Sequence, residues 1–440
     1  MDFSAFEMEV DATDMWWYGY KLLLLCTRCI HALATFPELL KLLPISEKAK
    51  PQILLLSGEV TPFRNDTDRA QVFRQELNFF YLSGCTVPSS YLLIAFQDGT
   101  GLSQKPSIEL FIPKAELADM MWSVPPLSLE AASQTHDVNK IDRPAATLLK
   151  AFPNALFHTI PRGSPLLSFH QSPPDLFLLP ALCQARSIKN EHEISLIRKA
   201  NEISSRAHEV VMRVLGKAVK GGIERGPGTG VDRPLLPGEW LIEKEADARA
   251  IFVASCRREG YTCHNRSNYE FLHNAVHQVY LPIVAANTRA LTLHYCCNNR
   301  ELAWGPLSPR VLLIDAGTMP VGNSGKFTSE ARAIYELLLE MQKKILPSGI
   351  SPAFFPHVEG QSLGMDVHDT MEAGCYFSPH LISPVRDSKH INKEVLERYE
   401  SVGGVQIEDV VLITEDGYNN LTTEVHSDTE CVEGVCLGAL

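Results

Sequence analysis

The most regular pattern in the chain is a run of apolar residues three and four positions apart between Ser187 and Leu215. Lysine, arginine and glutamate residues fill the positions between them. This spacing puts the apolar residues on one face of an α-helix and the charged residues on the other. We therefore predict a long amphipathic helix whose buried face consists of Ile194, Ile197, Ala200, Ile203, Ala207, Val210 and Val214.

Before this helix, short apolar runs alternate with segments rich in Gly, Pro and Asp. The runs Ile53–Leu56, Tyr91–Phe96 and Ile108–Ile112 have the length and composition of strands. Ala115–Trp122 and Ala145–Phe152 have helical composition. Such an alternation is typical of a small α/β domain.

After the long helix, the same patterns predict a second mixture of helices and strands. Two helices are predicted, over Ala246–Cys256 and Ser329–Leu346. The predicted strands or β-rich segments are Val279–Ala285, Ala290–Tyr295, Arg310–Ile314, Gly374–Phe377 and Val405–Thr414.

These patterns divide the chain into three parts, since 440 residues exceed the usual size of one core. Residues 1–50 form an N-terminal extension, 51–180 a small α/β domain with a linker rich in Pro and Ser, and 181–440 a second domain. The apolar stretch Met15–Ala34 lies in the extension. Acidic residues precede it and charged residues interrupt it, so we expect neither a signal sequence nor a membrane span.

Composition narrows the choice of partner and compartment. The formal net charge is −12, which argues against a protein that binds nucleic-acid phosphates. The 11 cysteines include no two Cys-x-x-Cys motifs at zinc-ribbon spacing, so we expect reduced thiols and a cytoplasmic location.

Three acidic residues stand in apolar surroundings. Asp315 follows the run Val311–Ile314, and Glu372 and Glu408 lie within β-type segments. A carboxylate that is buried in such a segment needs a cation or hydrogen-bond donors. Asp315 taken alone could equally cap a turn. Together, the three acids suit a divalent ion such as Mn²⁺, which prefers oxygen ligands.

Three histidines add to this pattern. His294, His357 and His368 lie in apolar or glycine-containing segments, and two aspartates flank His368. One such histidine is usually part of a core, but three histidines together with three acids favour a catalytic role. The chain has no complete His-Glu-x-x-His motif, which disfavours a zincin.

A series of short motifs follows in a fixed order over most of residues 70–425. The motifs are Phe73–Gly84, Leu110–Pro113, Ala185–Lys189, Thr292–Tyr295, Leu313–Gly317, Gly325–Thr328, Leu363–Asp369 and Val405–Asp409. Together they resemble the motifs of the prolidase and Xaa-Pro aminopeptidase group of dinuclear metallopeptidases, most nearly the fungal-type Xaa-Pro aminopeptidases.

The resemblance implies an α/β architecture in which a small N-terminal α/β domain precedes a pita-bread (α+β) catalytic domain that binds two Mn²⁺ ions. It implies that a metal-activated water hydrolyses the bond between an N-terminal residue and a penultimate proline. Its partners would be peptides with a penultimate proline and, in a homodimer, a second copy of the chain.

The resemblance also assigns roles to the candidate residues. Asp315, Glu372 and Glu408 match metal ligands. His294 matches a histidine that stabilises the transition state, and His368 matches one on the substrate side. His357 joins this catalytic set as the first histidine of the segment that resembles the family's ligand-histidine motif.

The chain departs from the family pattern at two of the five expected ligands. The segment that carries the second Asp ligand is absent between Asp315 and Gly325, and Gln361 stands where a ligand His is expected. Loss of such groups typically lowers metal affinity or activity tenfold or more. We therefore expect weakened two-metal catalysis, and a catalytically silent relative with a binding or scaffold role is the alternative.

Overall fold

The structure, a computed structural model, forms two compact units, Met1–Ile188 and Lys189–Leu440, and each is described by itself. Within the described ranges, no helix combines the length and the apolar character needed to cross a bilayer. The described residues are 30–71, 73–96, 106–113, 154–160, 176–224, 242–260, 282–292, 295, 297–302, 311–314, 317–320, 329–343, 371–389, 391–414 and 417–422.

The first unit contains a mixed sheet of β1 (Gln52–Ser57), β2 (Tyr91–Phe96), β3 (Ser107–Phe111) and β4 (Leu156–His158). The strand order is β3-β2-β1-β4, with β4 parallel to β1 and the other pairs antiparallel. The three predicted strands of this domain are therefore confirmed. The sequence pattern did not predict β4, because three residues are too few to show a period.

The described helices of this unit are α1 (30–42), α2 (Ile45–Lys48), α3 (Leu77–Ser83) and α4 (Leu178–Ser187). The Phe36 ring of α1 stacks on Phe96 of β2 with centroids 3.8 Å apart. The side chain of Glu76 caps α3 by accepting from the Phe79 amide at 2.6 Å. The predicted helices Ala115–Trp122 and Ala145–Phe152 lie outside the described residues.

The second unit begins with α5 (Glu191–Glu224) and α6 (Glu245–Gly260). The predicted long helix is confirmed, but it begins at Glu191 because Asn190 and Glu193 form a capping box. The Asn190 side chain accepts from the Glu193 amide at 3.0 Å, and Glu193 accepts from the Asn190 amide at 2.9 Å.

The predicted buried face of this helix is partly wrong. Val210 is 39% exposed and Ala200 is also exposed. The face that packs against α6 and the neighbouring strands passes instead through Ala207, Val211 and Leu215, each 0% exposed. These residues are four positions apart, so the true face is rotated relative to the predicted one.

A three-stranded antiparallel sheet packs on α5 and α6. Its strands are β5 (Val284–Ala286), β6 (Val311–Ile314) and β7 (Gly317–Pro320), in that order. Val284, Leu312 and Ile314 face the helices. Leu313 belongs to a different cluster on the other face, with Tyr295.

The predicted strand Ala290–Tyr295 is wrong over its first residues, because Asn287–Leu291 forms a 3₁₀ helix. Asn287 has a positive φ of 54°, which ends β5 and turns the chain. Ala290 and Tyr295 are nevertheless buried. A short apolar run therefore indicated burial correctly and the type of element incorrectly.

The remaining elements of this unit are α7 (Ser329–Lys343), β8 (Met371–Tyr376), α8 (Pro379–Ile382), α9 (Lys393–Tyr399), β9 (Gly404–Asp409), β10 (Val411–Thr414) and β11 (Gly417–Asn420). Helices α7, α8 and α9 form a second core with the antiparallel pair of β8 and β9. We name this pair the β8–β9 hairpin, although the long segment 377–403 connects its strands. Strand β8 pairs with β9 and β10 with β11, both antiparallel. The predicted β-rich segment Val405–Thr414 thus contains most of β9 and the whole of β10.

An ion pair between α7 and α9 gives this core a testable pH dependence. Glu330 accepts from the Ser329 hydroxyl at 2.7 Å and from Arg398 Nη2 at 2.9 Å. The Ser329 bond first, and then Arg398, lower the pKa of Glu330 to about 2. Because the folded-state pKa lies below the unfolded value, the pair stabilises the fold above about pH 4.3 and loses this effect as the pH falls towards 2.

We expect Arg398→Gln to lower the urea midpoint of unfolding slightly at pH 7 and to leave it unchanged at pH 2. The effect is small because Arg398 is 62% exposed and solvent screens the pair. The control is Lys217→Gln on the exposed surface of α5. An equal loss at both pH values would contradict the assignment.

Candidate metal centre

Two of the predicted ligands lie opposite each other in the β8–β9 hairpin. The register pairs Glu372 with Glu408, Gly374 with Gln406 and Tyr376 with Gly404. Directly opposed residues in an antiparallel pair have Cβ atoms about 4.5–5.5 Å apart. The fold thus brings together two acidic positions that lie far apart in sequence.

The hairpin has an apolar face and a polar face. Cys375, Val405 and Ile407 pack with α7 in the second core. Strand alternation assigns the positions of Glu372 and Glu408 to the opposite face, together with Tyr376 and Gln406. Of the adjacent acids 408 and 409, position 408 is therefore the one that faces away from the apolar core.

Cys375 lies between two positions of the polar face but belongs to the core. It is 4% exposed, and burial raises the pKa of its thiol to about 12. The thiol is therefore protonated at neutral pH in the apolar core. Because Cys375 belongs to that core and strand alternation assigns Glu372 and Glu408 to the other face, it is not among the candidate ligands.

A neutral hydrogen bond lies next to the paired acids. The Tyr376 hydroxyl donates to Gln406 Oε1 at 2.6 Å, and the Tyr376 side chain is buried. Gln406 is the residue that pairs with Gly374, one pair away from Glu372 and Glu408 along the same face. This contact holds both strands at the site without placing a positive charge beside the acids.

The 3₁₀ helix Asn287–Leu291 approaches the start of β9 at van der Waals distance. A Cβ atom at Gly403 would lie 2.2 Å from the Asn287 carbonyl oxygen, and one at Gly404 would lie 2.4 Å from the Ala290 carbonyl oxygen. Only glycine permits this approach. The 3₁₀ helix that precedes His294 in the sequence therefore packs directly against the start of the strand that carries Glu408.

The strand that leads to Asp315 lies beside the same hairpin. Cα atoms of β6 and of β7 come within 8 Å of Cα atoms of β9. Asp315 follows Ile314, the last residue of β6. Strand β7 pairs with β6 and consists of Gly317, Thr318, Met319 and Pro320, so it contributes no carboxylate or imidazole.

The remaining predicted site residues lie outside the described part of the chain. These are Asp315, His294, His357 and His368, and for Glu372 and Glu408 the strand positions are described but the side chains are not. Within the described ranges, no group of three or more His, Cys, Asp and Glu side chains could hold a metal ion. The six assignments therefore stay predictions, two of which have a defined register.

Sequence reasoning missed two features near this centre. One is the close contact of Gly403 and Gly404 with the 3₁₀ helix, and the other is a buried acid, Glu245. Glu245 lies in the charged run Glu243-Lys244-Glu245 at the start of a helix, where acidic residues are common because they interact with the helix dipole. No sequence signal separates it from a solvated first-turn acid. The adjacent glycines give only a weak signal of close backbone approach.

Two family models match the chain. Residues 38–158 match the aminopeptidase P N-terminal domain, and residues 195–383 match metallopeptidase family M24. The second match includes Asp315 and Glu372 and ends before Glu408.

Among named relatives, the probable Xaa-Pro aminopeptidase PEPP of Paracoccidioides brasiliensis (strain Pb18) is 32% identical over 469 aligned positions, which cover 84% of this chain and 89% of the relative. The protein of the same name from Podospora anserina is 33% identical over 470 positions, covering 86% and 91%. Each alignment is longer than the chain itself, so these relatives contain segments that the chain lacks.

Solved structures share the fold. Proline aminopeptidase P II from Yersinia pestis has a TM-score of 0.66 at 21% identity, covering 94% of this chain and 100% of that one. The low-pH form of aminopeptidase P from E. coli has a TM-score of 0.65 at 19% identity, covering 98% and 99%. The predicted architecture, a small N-terminal α/β domain followed by a pita-bread domain, is thereby confirmed.

Proposed function

Because the chain belongs to the Xaa-Pro aminopeptidase family of M24 metallopeptidases, we propose that it removes the N-terminal residue from peptides whose second residue is proline. The observation that carries this proposal is the register pairing of Glu372 with Glu408 on the polar face of the β8–β9 hairpin. Two carboxylates that face each other repel unless a cation or a shared proton lies between them. A metal-binding role satisfies both acids.

The M24 family implies a divalent metal cofactor, and we propose that Asp315, Glu372 and Glu408 bind it. We further propose manganese, because three carboxylates form a hard, oxygen-rich donor set. When bound, divalent ions polarise the scissile carbonyl and activate a water molecule.

We propose that three histidines serve the reaction around these ligands. His294 donates a ring N–H to the oxyanion that develops on the scissile carbonyl, and His368 contacts the substrate. His357 belongs to the same set. The Tyr376–Gln406 hydrogen bond keeps the β8–β9 register, and with it the separation of the two glutamates.

We also propose a cytoplasmic, homodimeric enzyme that acts on peptides. The 11 cysteines include no two Cys-x-x-Cys motifs at zinc-ribbon spacing, which favours reduced thiols and supports the cytoplasmic location. The formal net charge is −12. The same charge disfavours binding to nucleic acid or to an anionic membrane surface.

A silent binding or scaffold protein is the second candidate, and the composition of β7 favours it. This strand is the direct neighbour of β6, yet Gly317–Pro320 offers no metal ligand. With Gln361 in place of a ligand histidine, three of the five expected ligands remain. Such a site holds a second metal weakly, and we expect slow turnover.

Hydrolysis assays decide between the two candidates. We expect the purified chain with added Mn²⁺ to release the first residue from an Ala-Pro-Ala peptide and to leave Ala-Ala-Ala intact, with all release abolished by EDTA. Bound manganese, measured by elemental analysis, should be closer to one ion per chain than to two. No release from Ala-Pro-Ala at any Mn²⁺ concentration would reject the peptidase and favour the silent relative.

A further inference from the structure

A buried carboxylate lies at the start of α6, outside the predicted metal centre. Glu245 is 0% exposed, and a carboxylate in such a place is strongly destabilising unless donors compensate for its lost hydration. Its Oε1 accepts from Arg289 Nε at 2.6 Å and from the Ala286 amide at 3.0 Å. Its Oε2 accepts from the Tyr295 hydroxyl at 2.9 Å and from the Arg300 amide at 3.2 Å.

All four donors belong to residues 286–300, which we name the His294 segment. Ala286 and Arg289 precede His294, whereas Tyr295 and Arg300 follow it. Glu245 therefore contacts residues on both sides of His294 along the chain. The Glu245 amide adds a bond to the Arg300 carbonyl oxygen at 3.0 Å.

Among these four contacts, the one made by Tyr295 is the nearest to His294 along the sequence. Tyr295 packs in an apolar cluster with Ala290 and Leu313. Burial first, and then the bond to Glu245, raise the pKa of Tyr295 to about 12. At neutral pH the hydroxyl therefore stays protonated and donates a hydrogen bond to the carboxylate.

The other end of the His294 segment is fixed as well. The buried Asn298 side chain accepts from the Val284 amide at 2.6 Å and donates to the Pro282 carbonyl oxygen at 2.9 Å. The 3₁₀ helix at its start lies on Gly403 and Gly404 of the hairpin strand. The described residues of the segment are thus held between the start of α6 and the strand that carries Glu408.

We propose that Glu245 is a positioning residue for His294. It acts by holding Tyr295 and Arg289, so that the backbone on both sides of His294 stays fixed relative to β9. The inference rests on the proposed function, in which His294 donates to the developing oxyanion. A displacement of about 1 Å in such a group costs up to about 100-fold in rate.

Tyr295→Phe tests this with the smallest change, since it removes one hydroxyl and leaves the ion pair of Glu245 with Arg289. We expect kcat for Ala-Pro-Ala to fall about 10- to 100-fold, while KM and the Mn²⁺ affinity change less than about twofold. Glu245→Gln should have a larger effect on kcat. The matched control is Glu209→Gln, which removes a carboxylate from an exposed ion pair with Arg213 on α5 and should leave kcat unchanged.

A second measurement does not depend on turnover. In protein labelled with ¹³C-histidine, the ring signal of His294 is identified by its loss in His294→Gln. We expect this signal to move in Tyr295→Phe and to stay in place in Glu209→Gln. An unmoved signal, or a fall in kcat matched by an equal fall in Mn²⁺ affinity, would overturn the positioning role. If the wild-type chain hydrolyses nothing, the proposed function fails, and the histidine signal still decides whether Glu245 positions His294.

Discussion

Replacing Glu408 with glutamine is expected to lower the affinity for Mn²⁺ by about 100-fold and to reduce Xaa-Pro hydrolysis to background. The amide is neutral and binds a cation weakly, and in the proposed site it would also remove the repulsion that a bound ion relieves between positions 372 and 408. Glu372→Gln should behave in the same way, because the two residues are register partners. Isothermal titration with Mn²⁺ on each folded variant measures the change.

The neighbouring acid provides the control for this prediction. Asp409→Asn removes the same charge one residue further along β9, at a position that strand alternation assigns to the face with Ile407. We expect its Mn²⁺ affinity to stay within about threefold of the wild type, since the lost charge is a neighbour and not a ligand. Equal losses in Glu408→Gln and Asp409→Asn would mean that general charge, and not ligation, attracts the ion.

Replacing Gly403 with alanine is expected to destabilise the second unit by about 3–5 kcal/mol, as backbone strain adds to steric overlap. Gly403 has a φ of 84°, and the new Cβ would lie 2.2 Å from the Asn287 carbonyl oxygen. Backbone cannot rotate away as a side chain can, so the 3₁₀ helix must move. We expect a lower urea midpoint and, through displacement of His294, a loss of activity even where the variant is folded.

Two other glycines separate the causes of that effect. Gly417 also has a positive φ, 149°, but no atom of the described residues lies within 4 Å of its new Cβ, so Gly417→Ala should show strain alone. Gly404→Ala should show overlap alone, with the Ala290 carbonyl oxygen at 2.4 Å. If Gly417→Ala destabilised the protein as much as Gly403→Ala, the close contact of Gly403 with the 3₁₀ helix would contribute nothing beyond backbone strain.

Local patterns predicted the elements of the fold wherever an apolar run was long enough to show its period. The long helix, the three strands of the first unit and the β8–β9 segments are of this kind. The pattern failed where tertiary contacts decide the outcome. Ala290 and Tyr295 are buried by Leu313 without pairing to a strand, and the face of α5 is set by its packing against α6.

The candidate site was predictable as a set of residue types but not as an arrangement. The apolar surroundings of Glu372 and Glu408 marked both acids, but only the hairpin register makes them partners. Nothing in the sequence distinguishes Glu245 from Glu243, because burial depends on donors supplied by the distant residues Arg289 and Tyr295. Position in a strand can be inferred locally, whereas the partners of a buried charge depend on tertiary structure.

The most direct test of the metal-centre assignment is a crystal structure of the chain grown with Mn²⁺, with anomalous data collected at the manganese edge. We expect an anomalous peak bonded to carboxylate oxygens of Glu372 and Glu408, with Asp315 as the third protein ligand. A peak elsewhere, or no peak between these two glutamates when Mn²⁺ is saturating, would contradict the assignment.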